Sequence, residues 1–265
     1  MKRKIIISAL ALILLACLLP GAMLAADKGD GSGVDEANAW DVSAAGDGSV
    51  LAYYEGDTII ITGDGAMKNY DRAYRGANDG SGVSRKVWAP WIDRSTGAPF
   101  REFKHVVIEP GVTTIGTYAF SGMYDIESVV IPEGVTSIGS NAFINCKALK
   151  QVDLPASFAT IGEYRNVKIH ARDPFEECDS LEKITIADGN TAFKLDDQGI
   201  ALLGADGTKL IAYPAAYPID SYTIPDGVTE LDYGAFSSAK VQHVTAPESL
   251  KKIGDWCFSY TKIHS

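Results

Sequence analysis

The stretch IPEGVTSIGSNAF, residues 131–143, decides the fold because the chain repeats it. Closely similar phrases are IEPGVTTIGTYAF at 108–120 and IPDGVTELDYGAF at 224–236. The phrases at 108–120 and 131–143 are offset by 23 residues, as Phe120 and Phe143 are. A fixed period in the twenties with aliphatic residues at set positions is typical of a solenoid, in which each repeat forms one coil and stacks on the next.

Each unit is expected to form one short strand followed by an arc of turns. In LKQVDLP, residues 149–155, apolar and polar residues alternate. Strand alternation therefore places the apolar side chains in the core and directs Gln151 and Asp153 to solvent. Gly139 ends the phrase VTSIG, where either a crowded backbone or a positive φ would require glycine. No single coil can bury its own apolar face, so neighbouring coils must stack and share a core.

These phrases resemble the BspA-type leucine-rich repeats of bacterial surface and secreted proteins, and the resemblance covers residues 103–265. The predicted fold class is an α/β, β-rich leucine-rich-repeat solenoid with short turns or 3-10 helices, preceded by a small β-rich N-terminal capping module. An insertion at 163–174 lengthens one repeat to 32 residues. Residues 187–218 resemble the β-hairpin insert of the family, and their Asp-Gln-Gly and Asp-Gly turn signals predict a hairpin independently.

The segments outside the repeats have distinct patterns. Residues 38–102 include the alternating stretch VLAYYEGDTIIITGDGAM at 50–67, which predicts a hairpin in a β-rich module that covers the apolar end of the first coil. Residues 27–37, DKGDGSGVDEA, predict a flexible linker. The last three residues correspond to the start of another strand, so we expect a truncated or minimal array.

Residues 1–26 have the anatomy of a secretory signal peptide. A basic start, Lys2 to Lys4, precedes an apolar run that is too short for a comfortable membrane span, and small residues follow. The stretch ending in Cys17 resembles a lipobox, so a lipid anchor there is an alternative. The sequence stays apolar after Cys17, which favours the plain signal peptide. The predicted localisation is secreted or cell surface.

Charge limits the classes of partner. The formal charge is −10, and it becomes −13 without residues 1–26, which hold three of the basic residues and none of the acidic ones. An acidic chain repels phosphate backbones, so we expect no nucleic acid partner. Membrane contact is expected only if Cys17 is lipidated. The expected partners are proteins, either host extracellular proteins or other surface proteins.

No pattern for catalysis, cofactors or metals stands out. The equivalent residues His105 and His243 lie in distant coils and cannot converge on one ion. Cys146 and Cys178 occupy the same slot of adjacent coils, which predicts two buried thiols, with a disulfide as the alternative. The sequence therefore predicts no catalytic residue, no cofactor and no metal site.

Binding candidates lie on the outward positions of the stacked strands, which are predicted to form one continuous ribbon that also includes His243 and Thr245. Its candidate protein-binding residues are His105, Val107, Ser128, Val130, Gln151, Asp153, Lys183 and Thr185. The insertion at 163–174 adds the candidates Tyr164, Arg165, His170 and Arg172, which are locally basic on an acidic protein.

The family resemblance implies adhesion to host extracellular proteins and cell aggregation. The predicted function is that of an exported, non-catalytic protein-binding or adhesion module at the bacterial cell surface. The alternative is a structural scaffold or spacer, or a fragment of a larger envelope protein without its own ligand. A hydrolase with attached repeats is a third hypothesis, which nothing at 38–265 supports.

Overall fold

Short apolar strands alternate with tight turns throughout the part of the chain that the computed structural model describes, residues 39–71, 88–93, 95–162 and 173–263. The strands are β1 (Trp40–Asp41), β2 (Val50–Glu55), β3 (Thr58–Gly63), β4 (Gly65–Ala66), β5 (Ile92–Asp93), β6 (Ala98–Pro99), β7 (His105–Ile108), β8 (Val112–Ile115), β9 (Ser128–Val130), β10 (Ser137–Gly139), β11 (Gln151–Leu154), β12 (Thr160–Gly162), β13 (Lys183–Ile186), β14 (Phe193–Leu195), β15 (Leu202–Gly204), β16 (Lys209–Ala212), β17 (Ser221–Thr223), β18 (Glu230–Leu231), β19 (His243–Thr245) and β20 (Lys252–Ile253).

The β-rich solenoid predicted from the repeats is confirmed, with turns in place of helices between the strands of the described ranges. No helix in these ranges is long and apolar enough to cross a membrane.

Each coil contributes two short strands to two parallel ladders. The first ladder pairs β7 with β9 and β11 with β13. The second ladder pairs β8 with β10 and β10 with β12. Val106 faces Val129 and Ile138 faces Ile161, so the register of each ladder equals the repeat of the sequence. Equivalent aliphatic residues of these strands therefore stack in one core, and a second core cluster, which includes Tyr222 and Phe236, lies in the later coils.

The region before the repeats extends both ladders. Strand β2 pairs in antiparallel orientation with both β1 and β3, and β3 then pairs with β7 in parallel. Strand β4 pairs with β8 in the second ladder. Ile59 and Ile61 of β3 are fully buried and face Val106 and Ile108 of the first coil. Strands β3 and β4 therefore cover the apolar end of that coil and continue its two parallel ladders.

The arc that follows the second strand of each coil carries its own hydrogen-bond ladder. In the first arc, Phe120 donates its N–H to the Ala142 carbonyl oxygen of the next coil at 2.7 Å, and Gly122 donates to the Ile144 carbonyl oxygen at 2.8 Å. The intervening Ser121 N–H donates within its own coil, to Tyr118. Alternate N–H groups of an arc therefore point toward the next coil.

Aromatic rings stack along the arcs. The ring centroids of Phe120 and Phe143 lie 5.2 Å apart, and those of Phe143 and Phe175 lie 5.9 Å apart. A second stack places Tyr213 5.0 Å from Phe236, which lies 5.3 Å from Phe258. Each of these coils contributes one aromatic side chain to its stack. The stack joins these side chains into the centre of the core.

The segment between β13 and β17 contains an antiparallel three-stranded unit, β14, β15 and β16. Strand β16 then pairs in parallel with β18, so the unit leads back into a ladder of coils. Phe193 of this unit stacks on Phe158 at 4.9 Å. The Tyr222 hydroxyl donates to Asp196 Oδ2 at 2.5 Å, which connects the unit to β17.

Glycines in the second ladder allow coils to approach closely. A Cβ on Gly139 would lie 2.3 Å from the backbone nitrogen of Thr117 in the coil before. A Cβ on Gly254 would lie 2.6 Å from the backbone of Asp232. Of the two explanations considered for Gly139, crowding of the backbone is the one that the structure shows, since its φ is not positive.

Candidate binding surface

Eight candidate residues of the predicted ribbon lie on two strand pairs, β7–β9 and β11–β13, rather than on one continuous sheet. Strands β7 and β9 bring His105 beside Ser128 and Val107 beside Val130. Strands β11 and β13 bring together the other four candidates, pairing Gln151 with Lys183 and Asp153 with Thr185. Strands β9 and β11 are neighbours, although they share no regular ladder. We call these eight side chains the ribbon.

The β7–β9 half of the ribbon combines one apolar pair with one polar pair. Val107 and Val130 are partly exposed, while Val106 between the outward positions is fully buried. His105 Nδ1 lies 2.8 Å from Ser128 Oγ, within hydrogen-bond distance. The pair fixes the imidazole ring, and two aliphatic side chains remain accessible beside it.

The β11–β13 half of the ribbon is polar. Asp153 accepts a hydrogen bond from Gln151 Nε2 at 2.7 Å and another from the Thr185 hydroxyl. Gln151, Asp153 and Lys183 are exposed. A shallow groove lies beside this half, between Gln151 and Lys183 on one side and Gly199 and Tyr217 on the other. The ribbon therefore changes from apolar to polar along the array.

Two features differ from the sequence-based interpretation of the ribbon. The ribbon does not run on to His243 and Thr245, because β17 and β19 form a separate sheet beyond the β14–β16 unit. At its other end the sheet continues into β3, where Ile60 pairs with Val107 but is buried. Strand β3 has the sequence TIIITG. Because its three adjacent isoleucines do not alternate with polar residues, the sequence pattern did not show which of them lies on this face.

Tyr53 borders this extension on β2, opposite Ile60. Its hydroxyl is partly buried, and this burial, with the charges of Glu109 and Glu55, raises the pKa of Tyr53 to about 12. Tyr53 is therefore a neutral hydrogen-bonding group at physiological pH.

The insertion candidates Tyr164, Arg165, His170 and Arg172 lie outside the described residues. Their role in recognition stays a prediction.

The cysteines of the repeats are buried free thiols. Cys146 Sγ lies 3.2 Å from the Phe120 carbonyl oxygen, and Cys178 Sγ lies 3.3 Å from that of Phe143. Burial raises the pKa of both thiols, and it raises the pKa of Cys257 to about 12. Neutral buried thiols are poor nucleophiles and act here as small core side chains.

Carboxylates are also buried in the described part of the chain, but they serve the fold. Asp173 accepts the Phe175 N–H at 2.8 Å, and Glu176 accepts a hydrogen bond from Asn141 Nδ2 at 3.0 Å. Burial raises the pKa of Asp173 well above its usual range. Among the described residues, no group of three His, Cys, Asp or Glu side chains could hold a metal ion.

Stacked coils, two parallel ladders and an outward polar–apolar ribbon define a bacterial-type leucine-rich-repeat solenoid. Six copies of the BspA type leucine rich repeat region match residues 99–194 and 212–265, which is more than half of the chain. The chain therefore belongs to the BspA-type leucine-rich repeat family.

The chain is similar to solved structures of bacterial proteins. The pneumococcal vaccine antigen PcpA is 19% identical, with a TM-score of 0.56, and the match covers 82% of this chain and 68% of that one. A leucine-rich repeat protein from Eubacterium ventriosum is 22% identical, with a TM-score of 0.42, over 82% of this chain and 62% of that one. At 19% identity, the similarity to PcpA concerns the fold alone. No curated protein matches the chain.

Proposed function

We propose that the protein is an exported, non-catalytic binding protein of the bacterial cell surface, and that the ribbon contacts its protein partners. The family and the signal-peptide anatomy of residues 1–26 support this location. The ribbon is the observation on which the proposal rests. It presents side chains from two register-matched pairs of strands, and Val107 and Val130 give its β7–β9 half an accessible apolar centre.

A small apolar area flanked by satisfied polar groups suits protein recognition. The fully buried centre of a protein interface is depleted in charge, and its rim is polar. In the ribbon, the valine pair supplies the apolar centre of the β7–β9 half, and the polar side chains of β11 and β13 lie on one side of it. The core behind the strands is continuous, so the surface is rigid and binding requires little reordering of the protein.

Binding is tested with the chain 27–265 against extracellular-matrix proteins and whole cells. The variant Val107→Glu/Val130→Glu places two charges at the apolar centre, and we expect binding to weaken about tenfold or more, since one buried unpaired charge already costs more than 1.4 kcal/mol. Circular dichroism checks that the variant folds.

The matched control is Thr114→Glu/Ser137→Glu. These two residues also pair between adjacent coils and are also partly exposed, but they lie on the second ladder. The control is expected to bind like the parent chain. Equal binding by the ribbon variant would rule out the ribbon as the contact surface. A folded parent chain that binds none of the probes would favour the scaffold alternative.

A further inference from the structure

The first ladder is interrupted beside the ribbon, between β13 and β17. Phe193 of β14 follows Ile186 of β13 by seven residues, as Ile115 follows Ile108, so β14 is the second strand of the coil that begins with β13. The same spacing assigns β18 to the coil of β17. In the sheet that contains β14 and β18, strands β15 and β16 lie between them, but no described strand lies between β13 and β17.

This interruption leaves a groove on the outward face. Neighbouring strands lie about 4.8 Å apart, so the sheet advances by about 14 Å from β14 to β18, while β13 and β17 remain unpaired. The groove beside Gln151 and Lys183 lies at the interruption, because Tyr217 and Pro218 on its far side lead into β17. Its volume of about 350 Å³ is enough for a few side chains and too small for a folded element.

Hydrogen bonds hold both sides of the groove in place. On the far side, Gln198 precedes the lining residue Gly199 and donates from Nε2 to the Thr223 carbonyl oxygen of β17 at 2.9 Å. On the near side, the ladder between β11 and β13 fixes Gln151 beside Lys183. Because both sides are positioned before a ligand arrives, binding in the groove requires little ordering of the protein.

The groove is basic although the chain is acidic. Lys150 and Lys183 line it together with one acidic residue, Glu182. Both lysines are exposed, and neither forms an ion pair with a described carboxylate, whereas Lys147 pairs with Asp179 of the next coil at 3.0 Å. The two lysines are also adjacent, since the Lys183 N–H donates to the Lys150 carbonyl oxygen at 3.3 Å. Two neighbouring ammonium groups attract an anionic ligand.

We propose that the groove binds an extended acidic segment of a protein partner, whose carboxylate groups contact Lys150 and Lys183. This inference rests on the proposed function, because it names the chemistry of the partner that the ribbon contacts. The groove is continuous with the ribbon, since Gln151 and Lys183 belong to both. An ammonium group binds a carboxylate through a short charge-assisted hydrogen bond. Tyr217 and Pro218 supply apolar surface for the stem of the bound side chain.

The probe is a short synthetic peptide of alternating Glu and Ser, because alternate side chains of an extended chain point to the same side. It is titrated into the isotope-labelled chain 27–265, and nuclear magnetic resonance follows weak binding residue by residue. We expect the amide signals of Lys183, Gly199 and Tyr217 to shift in a saturable way. The variant Lys150→Gln/Lys183→Gln is expected to bind the peptide about tenfold more weakly, because two charged contacts are lost.

The matched control is Lys240→Gln/Lys251→Gln, which removes the same charge from two exposed lysines that also form no ion pair with described residues. It is expected to bind the peptide like the parent chain. Equal weakening in both lysine variants, or equal binding of a peptide with Gln in place of Glu, would overturn the proposal. Heparin that shifts the groove amides while the acidic peptide does not would assign the groove to a sulfated polysaccharide instead.

Failure of the groove and failure of the proposed function give different results. Binding of matrix proteins and cells that is weakened by Val107→Glu/Val130→Glu but not by Lys150→Gln/Lys183→Gln would keep the ribbon and exclude the groove. A parent chain that binds none of those proteins, but binds the acidic peptide through the lysine pair, would support the groove and contradict the proposed role of the ribbon.

Discussion

At the scale of single residues, the arcs depend on left-handed backbone at fixed positions. One such position lies two residues before the stacked aromatic residue of an arc, and the other lies two residues after it. The first position is occupied by Tyr118, Asn141, Gly234 and Trp256, and the second by Gly122, Asn145, Ser238 and Tyr260. A left-handed conformation costs a non-glycine residue roughly 1–2 kcal/mol. Several residues at these positions donate their N–H groups to the next coil, as Gly122 does to the Ile144 carbonyl oxygen, and hydrogen bonds of this kind offset part of the cost.

Because neighbouring coils approach closely at Gly139, any larger residue there is expected to destabilise the fold. In Gly139→Ala the added Cβ would meet the Thr117 backbone, which cannot rotate away, so we expect a loss of roughly 1–3 kcal/mol in the free energy of unfolding. Urea denaturation measures it. Gly204→Ala is the control, because its Cβ would have only an ordinary contact at 3.7 Å and its φ is not positive. Equal losses in both variants would contradict the crowding explanation.

Asp173 is expected to make stability depend on pH. Burial, and then the charges of Glu176 and Asp232, raise its pKa in the folded chain well above the ordinary value of 3.8. The stability that this shift provides is present below pH 3.8 and is lost as the pH rises through the folded-state pKa. Asp173→Asn keeps the oxygen that accepts the Phe175 N–H and removes the charge.

We therefore expect Asp173→Asn to unfold at a higher urea concentration than the parent chain at neutral pH, with the difference shrinking as the pH falls. Asp206→Asn is the control, because the pKa of Asp206 is shifted in the opposite direction. Hydrogen bonds from Thr208 lower the pKa of that exposed carboxyl group, so its removal should not stabilise the chain at neutral pH. A less stable Asp173→Asn chain at neutral pH would contradict the assignment.

At the scale of elements, the sequence identifies the strands that alternate and misses those that do not. The first ladder was predicted because LKQVDLP and its equivalents alternate, and the stacked aromatic residues follow from the fixed offset of 23 residues. The second ladder was not predicted as strands, because VTSIG is too short for its periodicity to separate a strand from a turn. The pairing of β3 with β7 was also missed, because β3 belongs to a hairpin that does not share the 23-residue spacing of the repeats.

Trp91 shows how an element outside the repeats can complete the array. Its ring stacks on Phe120 at 5.0 Å and 4°, and its Nε1–H takes the place of a backbone donor toward the Ala119 oxygen. The signal in the sequence is only a single Trp 29 residues before Phe120, outside the repeating phrase. Both contacts depend on the tertiary structure.

The two roles of Trp91 can be separated. Trp91→Phe keeps an aromatic ring and removes the N–H, which leaves the buried Ala119 oxygen without this donor, so we expect a loss of about 1–3 kcal/mol in the free energy of unfolding. Trp91→Ala also removes the ring, and the loss should rise to about 3–5 kcal/mol. Thermal and urea denaturation measure both. Indistinguishable stabilities of Trp91→Phe and the parent chain would show that the hydrogen bond contributes nothing.

At the scale of the whole molecule, the stability of the chain 27–265 should decrease toward the coil that contains β19 and β20. Phe143 is fully buried between two stacked rings, so Phe143→Ala is expected to cost about 3–5 kcal/mol. Phe258 has a stacked ring on one side only and is partly exposed, so Phe258→Ala should cost clearly less. Urea denaturation compares the two variants. In the parent chain, amide exchange should be faster in 243–263 than in 105–154. Equal costs and uniform exchange would contradict this gradient.

The identical construction of the coil interfaces has a consequence for how such chains change over generations. Ala119-Phe120 and Ala142-Phe143 are the same dipeptide at the same point of adjacent coils. Loss of residues 120–142 would join Ala119 directly to Phe143 and recreate an arc with the same ring and the same backbone donors. A chain that lost one such 23-residue unit would therefore keep matching contacts between the coils on either side of the deletion. The number of coils can differ between chains without changing the kind of contact that joins neighbouring coils.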